Sequence, residues 1–590
     1  MKYILTMEGC MATIQSKVCR GHRYWYIIQS RRVNGKPRPI VLAYLGKPED
    51  LLRRLQGLGG QVHLKSYSHG LVSALLQIAS QLNVADIINK YIESPRRYTS
   101  QKPIRNNLTA GVSILLAAIG KTCMPTSKRG WGIWARTTSL EYLLRCSLGK
   151  LDSQHFWDMM DVVPVDAIDR IEQELLEKVF DLYRLGSDTL FFDTTNFFTF
   201  IATGNRRCGI AQRGKNKQKR NDLRQVGLAM VVTREDMVPV FHLSYKGNLH
   251  DAVVFRQVLT RIKQRLADLS LDMEKHTLVF DKGIVSKANL ALIKGLSLHY
   301  LGALSPYHHK KLVAEATDNF EQVLINDRPM QVFRDKRTIW FAKRTVVVFI
   351  SENLKAGQLR GIYQSLDKKI NKLKKLQQSL ERSSAKRRNW TKLQETVKEI
   401  VKGQFTNELI DWSVIQESNG RFRLEFDVDQ EKLNKLEDRL GFRILVTDRD
   451  DWGTAEIIKA YHGQSQIEHT FKNLKNPYHL ALRPQFHWTD QKIIVNNFIC
   501  VLGYLLACLV WRQAKSKACF TGTLDTLLDT LNNVRLATIL ERSGKCGPAK
   551  ATYQLEQMSQ QQQHLMQALG IEEFHLQRRR LNGVSVYNAK

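Results

Sequence analysis

Residues 188–200 read DTLFFDTTNFFTF, a nearly continuous apolar run interrupted by one carboxylate, Asp193. Aromatic and apolar residues in such density suit a buried strand, and a buried strand rarely tolerates an unpaired ionised group. Asp193 therefore needs solvent, a cation or a hydrogen-bond partner. Working outward, LRQVGLAMVVTRED (223–236) and MVPVFHLSYKG (237–247) read as further strands. DAVVFRQVLTRIKQRL (251–266) has Val254, Val258, Ile262 and Leu266 on one stripe, the spacing of an amphipathic helix. HTLVFD (276–281) is a second apolar run ending in a carboxylate, Asp281. SKANLALIKG (286–295) is a helix opened by Ser286 as N-cap, and HYLGALS (299–305) is a strand.

The order is antiparallel strands, helix, strand, helix, strand, which predicts an α/β domain of the RNase H-like kind. If the runs ending in Asp193 and Asp281 are neighbouring strands, both carboxylates point at one spot. Hard oxygen ligands, few in number, are what a divalent cation requires when phosphate and water must also reach it. The plain alternative for either residue alone is a turn or cap.

After Ser305 the pattern breaks. FEQVLIN (320–326), MQVFRD (330–335) and TIWFAKRTVVVFIS (338–351) read as strands. Residues 354–402 are charged and helical, with Leu359, Ile362, Leu366, Ile370, Leu373, Leu376 and Leu380 stepping by three and four, as in a coiled-coil-like hairpin arm. RFRLEFDVD (421–429) and GFRILVTD (441–448) return to strand. A long helix is predicted over 453–475 and a buried apolar one near 490–512. Toward the N-terminus, YWYIIQS and PRPIVLAYLG flank Asn34-Gly35, a hairpin signal. The expected organisation is a small β-rich unit at 1–66, a helical DNA-binding region at 67–184 and the first part of the catalytic domain at 185–305. A β-rich insertion at 306–441 with its arm at 354–402 follows, then the second catalytic part at 442–515 and a helical tail at 516–590.

Charge narrows the partners. Lys and Arg number 89 against 56 Asp and Glu, a net charge of +33. Such a field favours polyanions, nucleic acid first and an anionic membrane second. The longest apolar run, residues 498–511, is short of the roughly 20 a spanning helix needs, so no membrane is expected. MKYILTMEGC lacks a secretory pattern, and MATIQSKV from Met11 is a cleaner start. Nine cysteines without a C-x-x-C pair fit a reducing cytoplasm better than a disulfide scaffold or zinc ribbon.

Within 453–475, Tyr461, Glu468 and Lys475 are spaced by seven, two turns apart on one helical face. A solvated amphipathic face is the ordinary reading of that spacing. YHGQSQIEHTFKNLK (461–475), however, resembles the Tyr-x2-Arg-x3-Glu-x6-Lys signature of insertion-sequence transposases of the IS-four superfamily. Gln464 stands where the signature has Arg. LFFDTT and LVFDKG resemble the same family's two aspartate boxes, with further similarity over 213–251 and 480–493. The opening at 21–46 is similar to the IS sixteen-thirty-four group.

The resemblance implies a DDE transposase that cleaves and transfers strands at terminal inverted repeats by cut-and-paste phosphoryl transfer. Asp193, Asp281 and Glu468 would be catalytic and would hold two Mg²⁺, with Mn²⁺ as a substitute. Tyr461, Lys475, Gln464 and Arg483 would contact double-stranded DNA, both element ends and target. A homodimer on paired ends in a prokaryotic cytoplasm, at the nucleoid, is implied too. Two other readings are a DNA-binding derivative that has lost catalysis and a nonspecific RNase H-like nuclease. Among rival residues, Asp448, Asp450 and Asp451 are expected to cap the Glu468 helix and Asp251 the helix at 252–266. His462 and His469 flank Glu468, and His487 lies in the basic loop with Arg483.

Overall fold

The computed structural model describes residues 5–7, 10–19, 21–33, 36–49, 52, 62–92, 108–149, 151–186, 188–214, 216, 220–269, 275–340, 342–381, 389–418, 420–482, 486–541 and 550–577. They form two compact units, Met1–Val162 with Leu506–Lys590, and Val163–Leu505.

The second unit begins with α1, Val165–Tyr183. There follow β1 (Thr189–Thr199), β2 (Arg224–Thr233), β3 (Pro239–Lys246), α2 (Asp251–Asp268), β4 (Thr277–Phe280), α3 (Lys287–Gly295) and β5 (His299–Leu304). The predicted succession of strands and helices is the one observed. β1, β2 and β3 are an antiparallel meander, while β4 lies parallel to β1 and β5 parallel to β4. The α2 stripe Val254, Val258, Ile262 and Leu266 is buried against Leu190, Phe192, Leu278 and Phe280. Ser286 caps α3 by accepting from the Asn289 N–H. Strand side chains alternate between faces. With Leu190 and Phe192 committed to the α2 side, Phe191, Asp193 and Thr195 face the opposite way.

α1, expected in the preceding helical region, belongs to this unit. Its Leu176 joins the α2 core. Glu172 Oε1 meets His242 Nδ1 of β3 at 2.5 Å, and Arg265 of α2 stands 3.7 Å from Glu172 and 3.5 Å from Asp169.

β6 (Glu321–Ile325), β7 (Arg328–Ile339) and β8 (Ala342–Ile350) continue the same sheet instead of forming a separate one. β11, Phe442–Thr447, pairs antiparallel with both β5 and β8. The nine strands run β6-β7-β8-β11-β5-β4-β1-β2-β3. Between β8 and β11 stands the arm: α4 (Glu352–Leu380), α5 (Trp390–Val401) and a hairpin of β9 (Ile410–Gln416) with β10 (Phe422–Val428). All seven stripe residues from Leu359 to Leu380 enter its core with Leu393, Val397, Val401 and Leu424.

The long helix expected over 453–475 is two helices, α6 (Thr454–His462) and α7 (Ser465–Leu474). At the break the backbone stays right-handed at Gly463 and Gln464 while hydrogen bonds tighten to three-residue spacing, Gln464 N–H to the Tyr461 carbonyl and Gln466 N–H to that of Gly463. A Cβ at Gly463 would stand 2.6 Å from the Phe191 ring, so glycine lets this turn pack close on β1. α8, Asp490–Ala518, has 29 residues and is long and apolar enough to cross a membrane. Yet 94% of its most apolar 18-residue window is buried, the setting of a core helix.

The first unit opens with a meander of strands. His22–Val33 and Lys36–Gly46 pair through Val33↔Lys36, a two-residue connection at Asn34-Gly35, which lie outside the described residues. Apolar helices follow at Gly70–Gln81 and Ala110–Cys123. Val62–Ser68 pairs with Arg535–Glu541, which pairs with Lys550–Leu555. The tail expected to be helical thus also contributes two strands. Their partner lies more than four hundred residues away, and local periodicity carries no trace of such a pairing.

Candidate active site

Asp193 stands mid-strand on β1, paired with Met230. β1 and β4 run parallel with Phe191↔Val279 in register, so two residues further on Asp281 comes level with Asp193, one strand away and on the same face. α7 lies along that face. Gly463 abuts Phe191, Lys475 Nζ donates to the Thr195 hydroxyl, and Glu468, between them on α7, is near enough to repel Asp193. Tyr504 of α8 holds α7 in place, its hydroxyl donating to Thr470 Oγ1 at 3.0 Å.

Burial pushes the Asp193 carboxyl up to about 7. The Thr194 N–H opposes this, while Asp281, Asp251 and Glu468 add to it by repulsion. A carboxyl hemmed in by three others is electrostatically suited to a divalent cation, since a cation would relieve all four. The side chains are not gathered for one as they stand. Asp193 and Asp281 each accept from the next residue's N–H at 2.7 Å. Among the described residues no three His, Cys, Asp or Glu groups are close enough to ligate an ion. The donor set therefore fits a hard cation in chemistry, and ligation requires those carboxylates to turn.

A cleft of about 420 Å³ opens beside this face, lined by Asp281, Lys282, Arg443, Tyr461, Gln464 and Glu468 among others. Tyr461 is buried in α6 and accepts a hydrogen bond from Arg443 at 3.2 Å. Burial holds its phenol up at about 12, with Asp281 and Glu468 contributing and Arg443 opposing. Lys475 caps the C-terminal end of α7 with right-handed backbone. Arg483 lies outside the described residues.

Several expectations are corrected. Asp251 is the first residue of α2, whose N-cap His250 makes no side-chain bond. The Asp251 carboxylate instead accepts from the Thr194 hydroxyl at 2.6 Å, next to Asp193. Asp448 receives the Tyr300 N–H, and Asp450 receives Thr345 and Lys336. α6 starts at Gly453 without a side-chain cap. His462 packs edge-on against Phe349 and, with burial first and Arg443 second, titrates below its ordinary value. Asp251 and Arg443 are the additions to the site. Neither had a local signal, since one sits in a turn-like NLHD and the other in an ordinary strand.

Residues 198–487 match the family model described as Transposase DDE domain. The chain carries a transposase DDE domain. The matched span holds Asp281, Tyr461, Gln464, Glu468 and Lys475 and begins after Asp193, whose place in the site rests on strand register. A DDE domain implies phosphoryl-transfer chemistry. Among solved structures, the cryo-EM piggyBac transposase synaptic complex with hairpin DNA is similar at 9% identity and a TM-score of 0.36, over 78% of this chain and 79% of that one. A likeness of that size decides nothing about the DDE domain. No curated protein matches the chain.

Proposed function

We propose that this DDE-domain protein is a DNA transposase of the IS-four superfamily, near the IS sixteen-thirty-four group, that cleaves and joins the terminal inverted repeats of an insertion sequence. The observation that supports the reading is the packing of α7 along β1, the strand of Asp193, with Asp281 just past the end of the parallel neighbouring strand. The order β3-β2-β1-β4-β5, with β1, β4 and β5 parallel, supports an RNase H-like frame.

Asp193, Asp281 and Glu468 would hold two Mg²⁺, and Asp251 stands close enough to act on the same charges. Bound metal supplies an activated attacking oxygen and stabilisation of the leaving one. Asp251, by receiving the Thr194 hydroxyl, orients the strand segment that carries Asp193. Lys475, anchored on Thr195, and Arg483 would place positive charge along a DNA backbone. Tyr461 and Gln464 line the cleft and would orient the scissile strand. The helices between residues 67 and 162 would read the ends, with two copies assembling on paired ends in a prokaryotic cytoplasm.

Glu468→Ala should abolish Mg²⁺-dependent nicking of a labelled duplex from the flank of the coding region while leaving its gel shift intact. Wild-type nicking by Glu468→Ala would overturn the assignment. A wild-type protein that shifts but never nicks would be the binding-only derivative. Digestion of arbitrary DNA would point to a nonspecific nuclease.

A further inference from the structure

Arg443 is the one arginine lining the cleft among the described residues, and the acid cluster does not account for it. It projects from β11, is half-buried, and its only side-chain hydrogen bond among the described residues goes to the neutral Tyr461 hydroxyl at 3.2 Å. The guanidinium lies 5.6 Å from the Tyr461 ring centroid. Among the described residues no carboxylate pairs with it. Other half-buried or buried arginines of this unit do find acidic or carbonyl partners: Arg265 meets Glu172 and Asp169, Arg224 donates to the Ala211 and Cys208 carbonyls, and Arg449 to the Lys275 carbonyl. Arg443 therefore presents to the cleft guanidinium donors that no acid of the described residues occupies.

The cleft's contents say what would occupy them. Asp281 and Glu468 line it together with Arg443 and Lys282. The carboxylates call for a divalent cation and would repel a bare anion, while the guanidinium calls for an anion. A phosphodiester would meet both demands, its oxygens taken by Arg443 while a divalent cation held by the acids would offset their charge. Arginine's planar fork matches two phosphate oxygens where a lysine offers only a point charge. The hydrogen bond and ring contact with Tyr461 hold that fork in one orientation before DNA arrives. Gln464, in the same cleft, contributes an amide and no charge.

We propose that Arg443 is a substrate-binding residue that grips a DNA phosphate next to the scissile position, supplying from a β-strand the positive charge that Gln464 does not provide. This rests on the transposase reading of the same cleft.

The test is equilibrium binding of a labelled flank duplex at a fixed Mg²⁺ concentration, on a Glu468→Gln background that is expected not to nick, across a range of added monovalent salt. Arg443→Gln should weaken binding about tenfold at moderate salt and reduce the slope of log K against log salt by roughly 0.9, the loss of one phosphate contact. Wild-type affinity and slope would overturn the proposal. Should that variant not fold, Arg443→Lys keeps stem and charge. It should show the wild-type slope with several-fold weaker binding, and undiminished affinity would equally overturn it. Glu468→Gln runs in parallel with Mg²⁺. If it still nicks, the transposase reading fails. If it does not nick while Arg443→Gln binds like wild type, only the role of Arg443 fails.

Discussion

Asp193 carries the most consequential charge of the site. Its ordinary carboxyl value of 3.8 is displaced to about 7, first by burial and then by three neighbouring carboxylates. Because the ionised form is disfavoured in the fold, stability is fully present below 3.8 and is lost as pH rises through about 7. At about 1.4 kcal/mol per pH unit, the loss is at most roughly 4 kcal/mol. Asp193→Asn should therefore be more stable than wild type in metal-free buffer. Its advantage should grow from about pH 4 to about pH 7 and stay level above. Denaturant midpoints across that range check it, and equal midpoints near pH 8 would contradict it. Added Mg²⁺ should raise the wild-type midpoint above pH 7 and leave the Asn variant nearly unmoved, since only a charged carboxylate gains from the ion. Asp193 and Asp281 were legible as candidates because each ends or breaks an apolar run, a purely local signal. Asp251 and Arg443 were not, because their partners lie on other strands and helices.

At the scale of elements, the decisive joint is the short turn between α6 and α7. An apolar and polar pattern that continues unbroken from 453 to 475 reads as one helix, and the heptad spacing of Tyr461, Glu468 and Lys475 reinforces that reading. The turn between them packs on β1 because Gly463 leaves room for Phe191, a fully buried side chain two residues before Asp193. A methyl there would stand 2.6 Å from the ring and 3.1 Å from the Ala460 carbonyl. Gly463→Ala should push α7 off β1, costing about 1–3 kcal/mol as overpacking does. It should slow end cleavage at least tenfold while sparing DNA binding. Thermal melting and single-turnover nicking report the two effects, and normal values of both would show that the joint does not place Glu468. The arm was legible for the opposite reason. Its seven-residue stripe from Leu359 to Leu380 is periodic over a long span and buries itself against its own hairpin.

Across the whole molecule, the net charge of +33 dominates. Affinity for arbitrary duplex DNA should fall linearly in log–log plots against salt, with a slope of about −0.9 for each phosphate neutralised. A slope steeper than roughly −4 is expected for a protein of this charge, and binding indifferent to salt would show that the surplus serves something other than DNA. Charge of this kind is a sum over residues and needs no fold to be read.

Apart from Glu468, which the resemblance of 461–475 to a family signature pointed to, the amino-acid sequence alone determined the strand and helix succession from 188 to 305, the arm's apolar stripe, the polyanion preference and the candidate carboxylates Asp193 and Asp281. Each is written in a short window, as periodicity, composition or a run ending in a charge. The tertiary structure alone decided that β6, β7 and β8 extend the central sheet and that Val62–Ser68 pairs with Arg535–Glu541. It also decided that Asp251 and Arg443 face the site. Those outcomes depend on contacts between segments tens to hundreds of residues apart, where hydrogen bonding and close packing, not local pattern, choose the partner.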